Sequence, residues 1–337
     1  MGHPTTENRT PFALSALPLI DEQGQPVLTV VVKGTFAIGT DGRCTRAEEQ
    51  VPVNVGGEPW GEDPLTSSYR YEPEVAFIKP ATDVVLIGHA WAPRAGTTEM
   101  SVGIKVGPAR KEALVFGDRG WFKSMGQVGM SKPRAFEKIP LRWERAFGGW
   151  DRSHPDPNRH ACEARNPVGV GARPSKSFDE GMRLPNLEDP QHPLRKLGDA
   201  PPPAGFGFVS PHWQPRAALA GSYDERWQKE RAPLLPKDFD RRHLNAAPAG
   251  LVTPYLRGDE TVVTVGATPQ GQFRFNLPGA APPLVRVALH DRLDQAPVMN
   301  LDTVIVEPDE RRLMLLWRGM IPLPTGPLDV KAVEVQG

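Results

Sequence analysis

The sequence predicts a mainly β protein: antiparallel, sandwich-like layers around a long, mostly irregular middle segment, with few short helices. Composition is the first reason. Gly (33) and Pro (38) make up about a fifth of the 337 residues, and helix interiors tolerate neither. The second reason is pattern, because short β-branched runs alternate with Gly/Pro punctuation at both ends of the chain. The third is the contrast between those ends and a centre that carries almost no periodic apolar run. Residues 12–140 read as an N-terminal β region and residues 141–255 as a loop-rich, aromatic and Pro-rich segment packed on it. Residues 256–337 read as a C-terminal β region, and the three form one compact unit.

Taken in order, Phe12–Ile20 and Val27–Ile38 flank Asp21-Glu-Gln-Gly-Gln25, a hairpin in which Gly24 supplies the turn. The run Val30–Ile38 is continuous enough to be buried on both faces. Asp83–Trp91 and Glu99–Val106 follow as strands; in the second, Met100, Val102, Ile104 and Val106 alternate with Ser101, Gly103 and Lys105, a period of two suited to one wet face. In the middle segment Ser222–Glu230 reads as a helical turn, with Ser222 as cap and Glu225 closing a capping box. A segment this long without regular structure is uncommon inside a compact domain. Its aromatics, Trp143, Phe147, Trp150, Phe206, Phe208, Trp213, Tyr223, Trp227 and Phe239, predict that it is ordered. Strand signals return at Thr261–Gly266, Gln272–Leu277, Leu284–His290 and Asp302–Val306. A turn at Pro308-Asp-Glu310 leads to Arg312–Trp317 and then Asp329–Val335.

Charge and motifs narrow the function classes. Lys+Arg (40) and Asp+Glu (40) cancel, which argues against a basic nucleic-acid binder and against a polybasic membrane-surface protein. The two cysteines, Cys44 and Cys162, form no CxxC pair, the first residues lack the pattern of a secretory signal, and no apolar run is long enough to span a bilayer. The expected location is the cytoplasm. No P-loop, GxGxxG after a strand, GxSxG, HExxH or EF-hand loop occurs; Gly169-Val-Gly171 is a lone GxG that reads as a turn needing positive φ. Asp151, His154, His160 and Cys162 have zinc-type donors, but their spacing matches no standard site. The other histidines, His3, His89, His192, His212, His243 and His290, are scattered. No catalytic, cofactor or metal residue is therefore assigned.

The cluster Arg142-Trp-Glu-Arg-Ala-Phe-Gly-Gly-Trp-Asp-Arg152 admits three readings: a stacking surface for nucleic acid, an anchor for a protein partner, since Trp and Arg are enriched in interface hot spots, or internal packing. The candidate partner-binding residues are Arg142, Trp143, Arg145, Phe147, Trp150, Trp213, Arg216, Tyr223 and Trp227. In a competing enzyme reading, Glu144, Asp238 and Asp240 gather in a cleft for acid–base hydrolysis of a carbohydrate or cell-wall substrate, although Arg241 and Arg242 beside the two aspartates favour a salt-bridged loop.

An ordered series of short segments resembles a bacterial domain-of-unknown-function family encoded in type VI secretion clusters, beside genes for the VgrG spike and PAAR-repeat tip proteins. The segments are Val32-Lys-Gly-Thr-Phe36, Lys79-Pro-Ala-Thr-Asp83 with its continuation to Pro93, Arg142-Trp-Glu-Arg-Ala-Phe-Gly-Gly149, Asn166-Pro-Val-Gly-Val-Gly171 and Leu184-Pro-Asn-Leu-Glu188. Trp213-Gln-Pro-Arg216, Ala220-Gly-Ser-Tyr-Asp-Glu-Arg-Trp227, Arg231–Asp240, Asn245-Ala-Ala-Pro248, Gly258-Asp-Glu260 and Leu277-Pro278 complete the series. Ala172 and the stretch Ala249-Gly-Leu-Val-Thr253 depart from it. The resemblance implies a cytoplasmic adaptor or chaperone without catalytic residues or cofactor. Its partners would be an effector protein with a PAAR or toxin domain and the VgrG spike, with no role for nucleic acid or membrane.

Overall fold

The computed structural model describes residues 5–290 and 292–337; His3 lies outside the described residues. The main sheet runs, from edge to edge, Val252–Thr253, Thr82–Leu86, Asn300–Glu307, Arg312–Pro322, Pro26–Ile38 and Ala13–Ile20, with Cys44–Arg46 also paired to Pro26–Ile38. A second sheet has the order Leu187–Glu188, Ala109–Phe116, Glu99–Val106, Thr261–Val265, Gln272–Asn276. A third joins Thr5–Asn8, Val330–Gln336 and Leu284–Leu289. One contiguous apolar core draws on all three: Val30, Val32, Leu315 and Trp317 from the first, Val102, Ile104, Val115 and Val262 from the second, Val287, Val333 and Val335 from the third.

The local chemistry of each element explains its place. Pro26–Ile38 is β-branched over most of its length and lies between two partners, so all but Pro26 and Ala37 are buried, as a central strand covered on both faces requires. The hairpin before it closes as expected: Asp21 accepts the amides of Gln23 (2.9 Å) and Gln25 (2.8 Å), and Gly24 takes φ +85°. The strand Glu99–Val106 keeps its predicted alternation, with Ser101 and Lys105 exposed and Val102, Ile104 and Val106 buried. Most pairings are antiparallel, but Thr82–Leu86 lies parallel to Asn300–Glu307 and Thr5–Asn8 parallel to Val330–Gln336. Parallel neighbours need long crossover connections, and the whole middle segment lies on the connection from Thr82–Leu86 to Asn300–Glu307.

The middle segment is ordered by its own hydrogen bonds and not by regular elements. Its one α-helix, Glu225–Glu230, begins later than the sequence suggests: Asp224, not Ser222, caps it, accepting the Trp227 amide at 2.8 Å. Ser222 donates instead to Asp238, Oγ to Oδ2 at 2.8 Å. Aspartate caps as well as serine, and the competing acceptor at Asp238 decides between them. Among the described residues no helix is long and apolar enough to cross a membrane.

Candidate functional site

The conspicuous glycine-rich strings of the middle segment serve close packing. Phe147-Gly148 pairs in parallel with Val170-Gly171, and the buried Asn166 amide donates to the carbonyls of Trp143 (2.8 Å) and Phe147 (3.0 Å). A Cβ on Gly148 would lie 2.1 Å from the Asn166 carbonyl oxygen, and one on Gly149 would lie 2.3 Å from that of Gly169. The GxG at Gly169 and Gly171 belongs to this knot: Gly171 takes φ +96°, whereas Gly169 is needed for close approach.

The nine candidate partner-binding residues fall into three groups. Trp143, Phe147, Trp213 and Arg216 are buried. Trp143 stands edge-on to Trp213 with 5.8 Å between centroids and donates to the Gly207 carbonyl at 3.1 Å; Phe147 packs with Trp121, Ala172, Leu184 and Leu194 in a second small core. These side chains are closed to a partner because the core has already claimed them. Arg142, Arg145 and Trp227 are half-buried. Arg142 lies over the Trp60 ring and Arg145 reaches Asn186 at 3.2 Å, while Trp227 donates to the Leu234 carbonyl at 2.8 Å. Only Trp150 and Tyr223 are exposed, and the first stacks with Arg152.

The metal-type residues do not converge. Asp151 accepts from Ser153 Oγ (2.7 Å), Arg173 (3.0 Å) and both the amide and hydroxyl of Ser175 (3.0 and 2.5 Å). Burial opposes its charge, but the hydrogen bonds from Ser175 and Ser153 outweigh it and hold the carboxyl well below the usual range. His160 Nε2 meets the carbonyl of His154 at 3.0 Å. Among the described residues no group of His, Cys, Asp and Glu is arranged to hold a metal ion. The carboxylates of the hydrolase reading are each engaged by a different partner: Glu144 accepts the Ser68 amide at 2.8 Å, Asp238 binds Ser222, and Asp240 is held by Arg242.

What does converge is a cleft of about 380 Å³ between the edge strand Ala13–Ile20, the stretch Tyr69–Lys79 and the middle segment. Leu19 and Ile20 form one wall, Phe77 and Val75 another, and Tyr223, Leu235, Phe239 and Leu244 close it. Ile20 and Tyr223 stand exposed at its rim, 55% and 53% accessible. The middle segment is fastened there by Arg231, which donates to the Glu22 carbonyl at 2.6 Å, and by the Arg241–Glu22 ion pair.

Beneath the apolar walls lies a buried ionic network. Arg216 pairs with Glu72 and donates to the carbonyls of Val209 (2.6 Å) and His243 (2.7 Å). Lys79 pairs with Asp83 at 2.8 Å and reaches Thr303 at 3.2 Å. Asp83 also accepts from Asn245 Nδ2 (3.0 Å) and the amides of Ala246 (2.9 Å) and Ala247 (3.2 Å). Burial pushes the Glu72 carboxyl up, against the pull of Arg216 and Lys79. For Lys79 burial works against the charge, but Asp83, Glu72 and Asp302 together outweigh it and raise the ammonium above its ordinary value. His243 is lowered by burial and keeps its ring nitrogen on the Arg216 carbonyl at 2.9 Å. The network joins segments far apart in sequence, so of these residues sequence reasoning singled out only Arg216 for a role.

The chain matches the family model DUF2169, an uncharacterized protein conserved in bacteria, over residues 23–318. The chain belongs to that family. The match begins inside the first hairpin and ends on Arg318 in the main sheet, so DUF2169 covers every wall of the cleft except Leu19 and Ile20. The description assigns the family no activity or partner. No curated protein and no solved structure matches the chain.

Proposed function

We propose that this DUF2169 protein is an adaptor that holds a client protein by an apolar segment seated in the cleft at the edge of the main sheet. The client is a type VI secretion effector carrying a PAAR or toxin domain, which the adaptor helps load on the VgrG spike in the cytoplasm. The observation that carries the binding mode is the cleft itself: apolar walls, two large exposed side chains at the rim, and charges beneath that are matched to one another and not offered outward. A site of this kind takes apolar side chains and discriminates by shape. The identity of the client rests on the resemblance of the ordered segments, several of which (Lys79–Asp83, Trp213–Arg216, Asn245–Pro248) build the cleft and its floor. The hydrolase alternative needs two carboxylates across one cleft; among the described residues the only carboxylate lining this one is Glu72, already paired with Arg216.

Pull-down of tagged protein from native cells at low and high salt tests the proposal. A PAAR- or VgrG-containing protein with a toxin domain is expected to co-purify, and to remain bound at high salt because the contact is apolar. The variant Ile20→Asp/Tyr223→Asp changes only exposed rim positions. Each side chain is already about half covered, so completing its burial is worth on the order of 1 kcal/mol, and the variant is expected to lose the client by roughly tenfold or more. A clean preparation that carries no partner under either salt condition would sink the adaptor reading.

A further inference from the structure

The strand Ala13–Ile20 has one unpaired side, and its register shows which groups lie there. It pairs with Pro26–Ile38 and with no other strand among the described residues. The hairpin bond from the Asp21 amide to the Gln25 carbonyl, 3.0 Å, turns the odd-numbered backbone groups toward Pro26–Ile38. The position opposite Ile20 agrees: the Pro26 carbonyl faces the other way and accepts the Leu323 amide at 2.8 Å. No register shift interrupts the ladder, so the backbone groups of Leu14, Ala16, Pro18 and Ile20 point outward.

Most of that edge is closed. Phe12, the outward position before the strand, is engaged locally: its amide meets Thr10 Oγ1 at 3.2 Å and its carbonyl accepts Asn8 Nδ2 at 2.7 Å. Pro18 has no N–H to offer. Between them Leu14 and Ala16 present both N–H and both C=O groups without a hydrogen-bond partner among the described residues. Open edges of this kind template the addition of another strand, and proteins ordinarily guard them with charge, proline or bulges. Ala13–Ile20 contains no charged residue, and Pro18 is the one guard it carries.

The stretch is complementary to itself. Antiparallel pairing of two copies about a two-fold axis at Ser15 sets Leu14 opposite Ala16 and Ala13 opposite Leu17, a large side chain against a small one in each pair. In that register the N–H and C=O of Leu14 meet the C=O and N–H of Ala16 in the other copy, and symmetry repeats the exchange, so no free group of either residue is left over. Pro18 falls opposite Phe12, so the missing donor faces the carbonyl that Asn8 already fills. Moving the axis to Leu14 sets Ala16 against the engaged Phe12, and moving it to Ala16 sets Leu14 against Pro18.

We propose that Ala13–Ile20 is a self-association site, at which a second copy of this chain adds its own Ala13–Ile20 antiparallel in the register centred on Ser15 and joins the two main sheets into one. A strand from another protein could fill the hydrogen bonds, but the match of large to small side chains and of Pro18 to Phe12 is one that this sequence makes with itself. The strand lies outside residues 23–318, so the site is proposed for this chain and not for the family. It takes no bond from Ile20 or Tyr223 and does not rest on the adaptor reading.

The test uses the full-length protein without a client. Sedimentation velocity from about 1 to 200 μM is expected to show the mass rising from one chain toward twice 37.0 kDa, with a Kd of about 100 μM or tighter. Ala16→Pro removes an outward N–H and none from the ladder with Pro26–Ile38; it is expected to weaken the dimer by about tenfold or more while the melting temperature stays within a few degrees of wild type. Ser15→Lys sets like charges against each other at the axis and is expected to weaken it comparably, a second arm should the proline variant not fold. Ser15→Cys tests the register. Residues opposite each other in a non-hydrogen-bonded antiparallel pair have Cα atoms about 4.5 Å apart, within reach of a disulfide. Copper–phenanthroline, which takes up the electrons of the two thiols, is expected to cross-link this variant to a dimer. Leu17→Cys, which faces Ala13, and the wild type with its own Cys44 and Cys162 are expected to stay uncross-linked. The proposal fails if the wild type remains a single chain at about 200 μM. It fails equally if folded Ala16→Pro and Ser15→Lys dimerise as wild type does, which would place the contact on another surface, or if Leu17→Cys cross-links and Ser15→Cys does not.

Discussion

Asp83→Ala strikes the buried carboxylate that ties the stretch Asn245–Ala247 to Lys79. Its carboxylate is fully buried and accepts from the Lys79 ammonium at 2.8 Å, the Asn245 side chain at 3.0 Å and the amides of Ala246 and Ala247 at 2.9 and 3.2 Å. Truncation removes all four bonds and leaves the Lys79 ammonium in the core with only the Thr303 hydroxyl in direct reach. Breaking a buried pair from one side costs ~3–5 kcal/mol, and each stranded donor adds ~1–3 kcal/mol before relaxation. Because relaxation and water entry recover part of this, a loss of about 4–6 kcal/mol is expected, against a total stability of ~5–15 kcal/mol for a typical domain. Urea denaturation followed by tryptophan fluorescence measures it. The double variant Lys79→Met/Asp83→Ala removes the stranded charge and is expected to regain about 1–3 kcal/mol over the single one, a coupling that a double-mutant cycle isolates. A single variant costing under about 1 kcal/mol, or a double variant no better than the single, would refute the claim that the ion pair holds the floor of the cleft.

Two further outcomes follow from the same geometry. Gly148→Ala places a Cβ 2.1 Å from a carbonyl oxygen of the backbone at φ +152°; the knot must open, and a loss of more than about 2 kcal/mol in the same denaturation assay is expected. His243 has its pKa lowered from the ordinary 6.5 by burial. A histidine lowered on folding contributes stability above its unfolded pKa and loses it as pH falls through 6.5 toward the folded value. Stability is therefore expected to fall with pH over that window, and His243→Gln to flatten the slope. An unchanged slope would show that His243 does not titrate with folding.

The strands were legible in the sequence wherever alternation or a continuous β-branched run had only one reading. Pro26–Ile38 and Glu99–Val106 are examples, and even the turn at Gly24 falls where its residue type places it. Several strands left no such signal, and two of them show why. Ala109–Phe116 interrupts its apolar positions with Arg110, Lys111 and Glu112, and it holds its place through the hairpin with Glu99–Val106. Thr5–Asn8 is polar and exposed throughout, and only its parallel ladder with Val330–Gln336 makes it a strand. For the candidate site the limit was different. Trp143, Phe147 and Trp213 have the residue types of interface anchors, but those same types are what a large core consumes, and composition cannot tell a claimed aromatic from a free one. The residues that shape the cleft, Leu19, Ile20, Phe77 and Leu235, carry no chemical signature at all.

The ionic floor explains why a segment with so little regular structure can present a fixed surface. A loop on a purely apolar core can slide, since apolar contacts are non-directional. Asp83 with Asn245, Ala246 and Ala247, and Arg216 with Val209 and His243, fix the middle segment at points where a small shift breaks several directional bonds at once. Buried charges of this kind add little net stability compared with an apolar filling, so specificity of arrangement is the advantage they bring here. The cleft walls Phe239 and Leu244 are then held by their neighbours His243 and Asn245 without spending apolar surface on the purpose. That leaves Ile20 and Tyr223 uncovered at the rim, and a ligand docking on them would meet a surface already ordered, with little conformational entropy to lose on this protein's side.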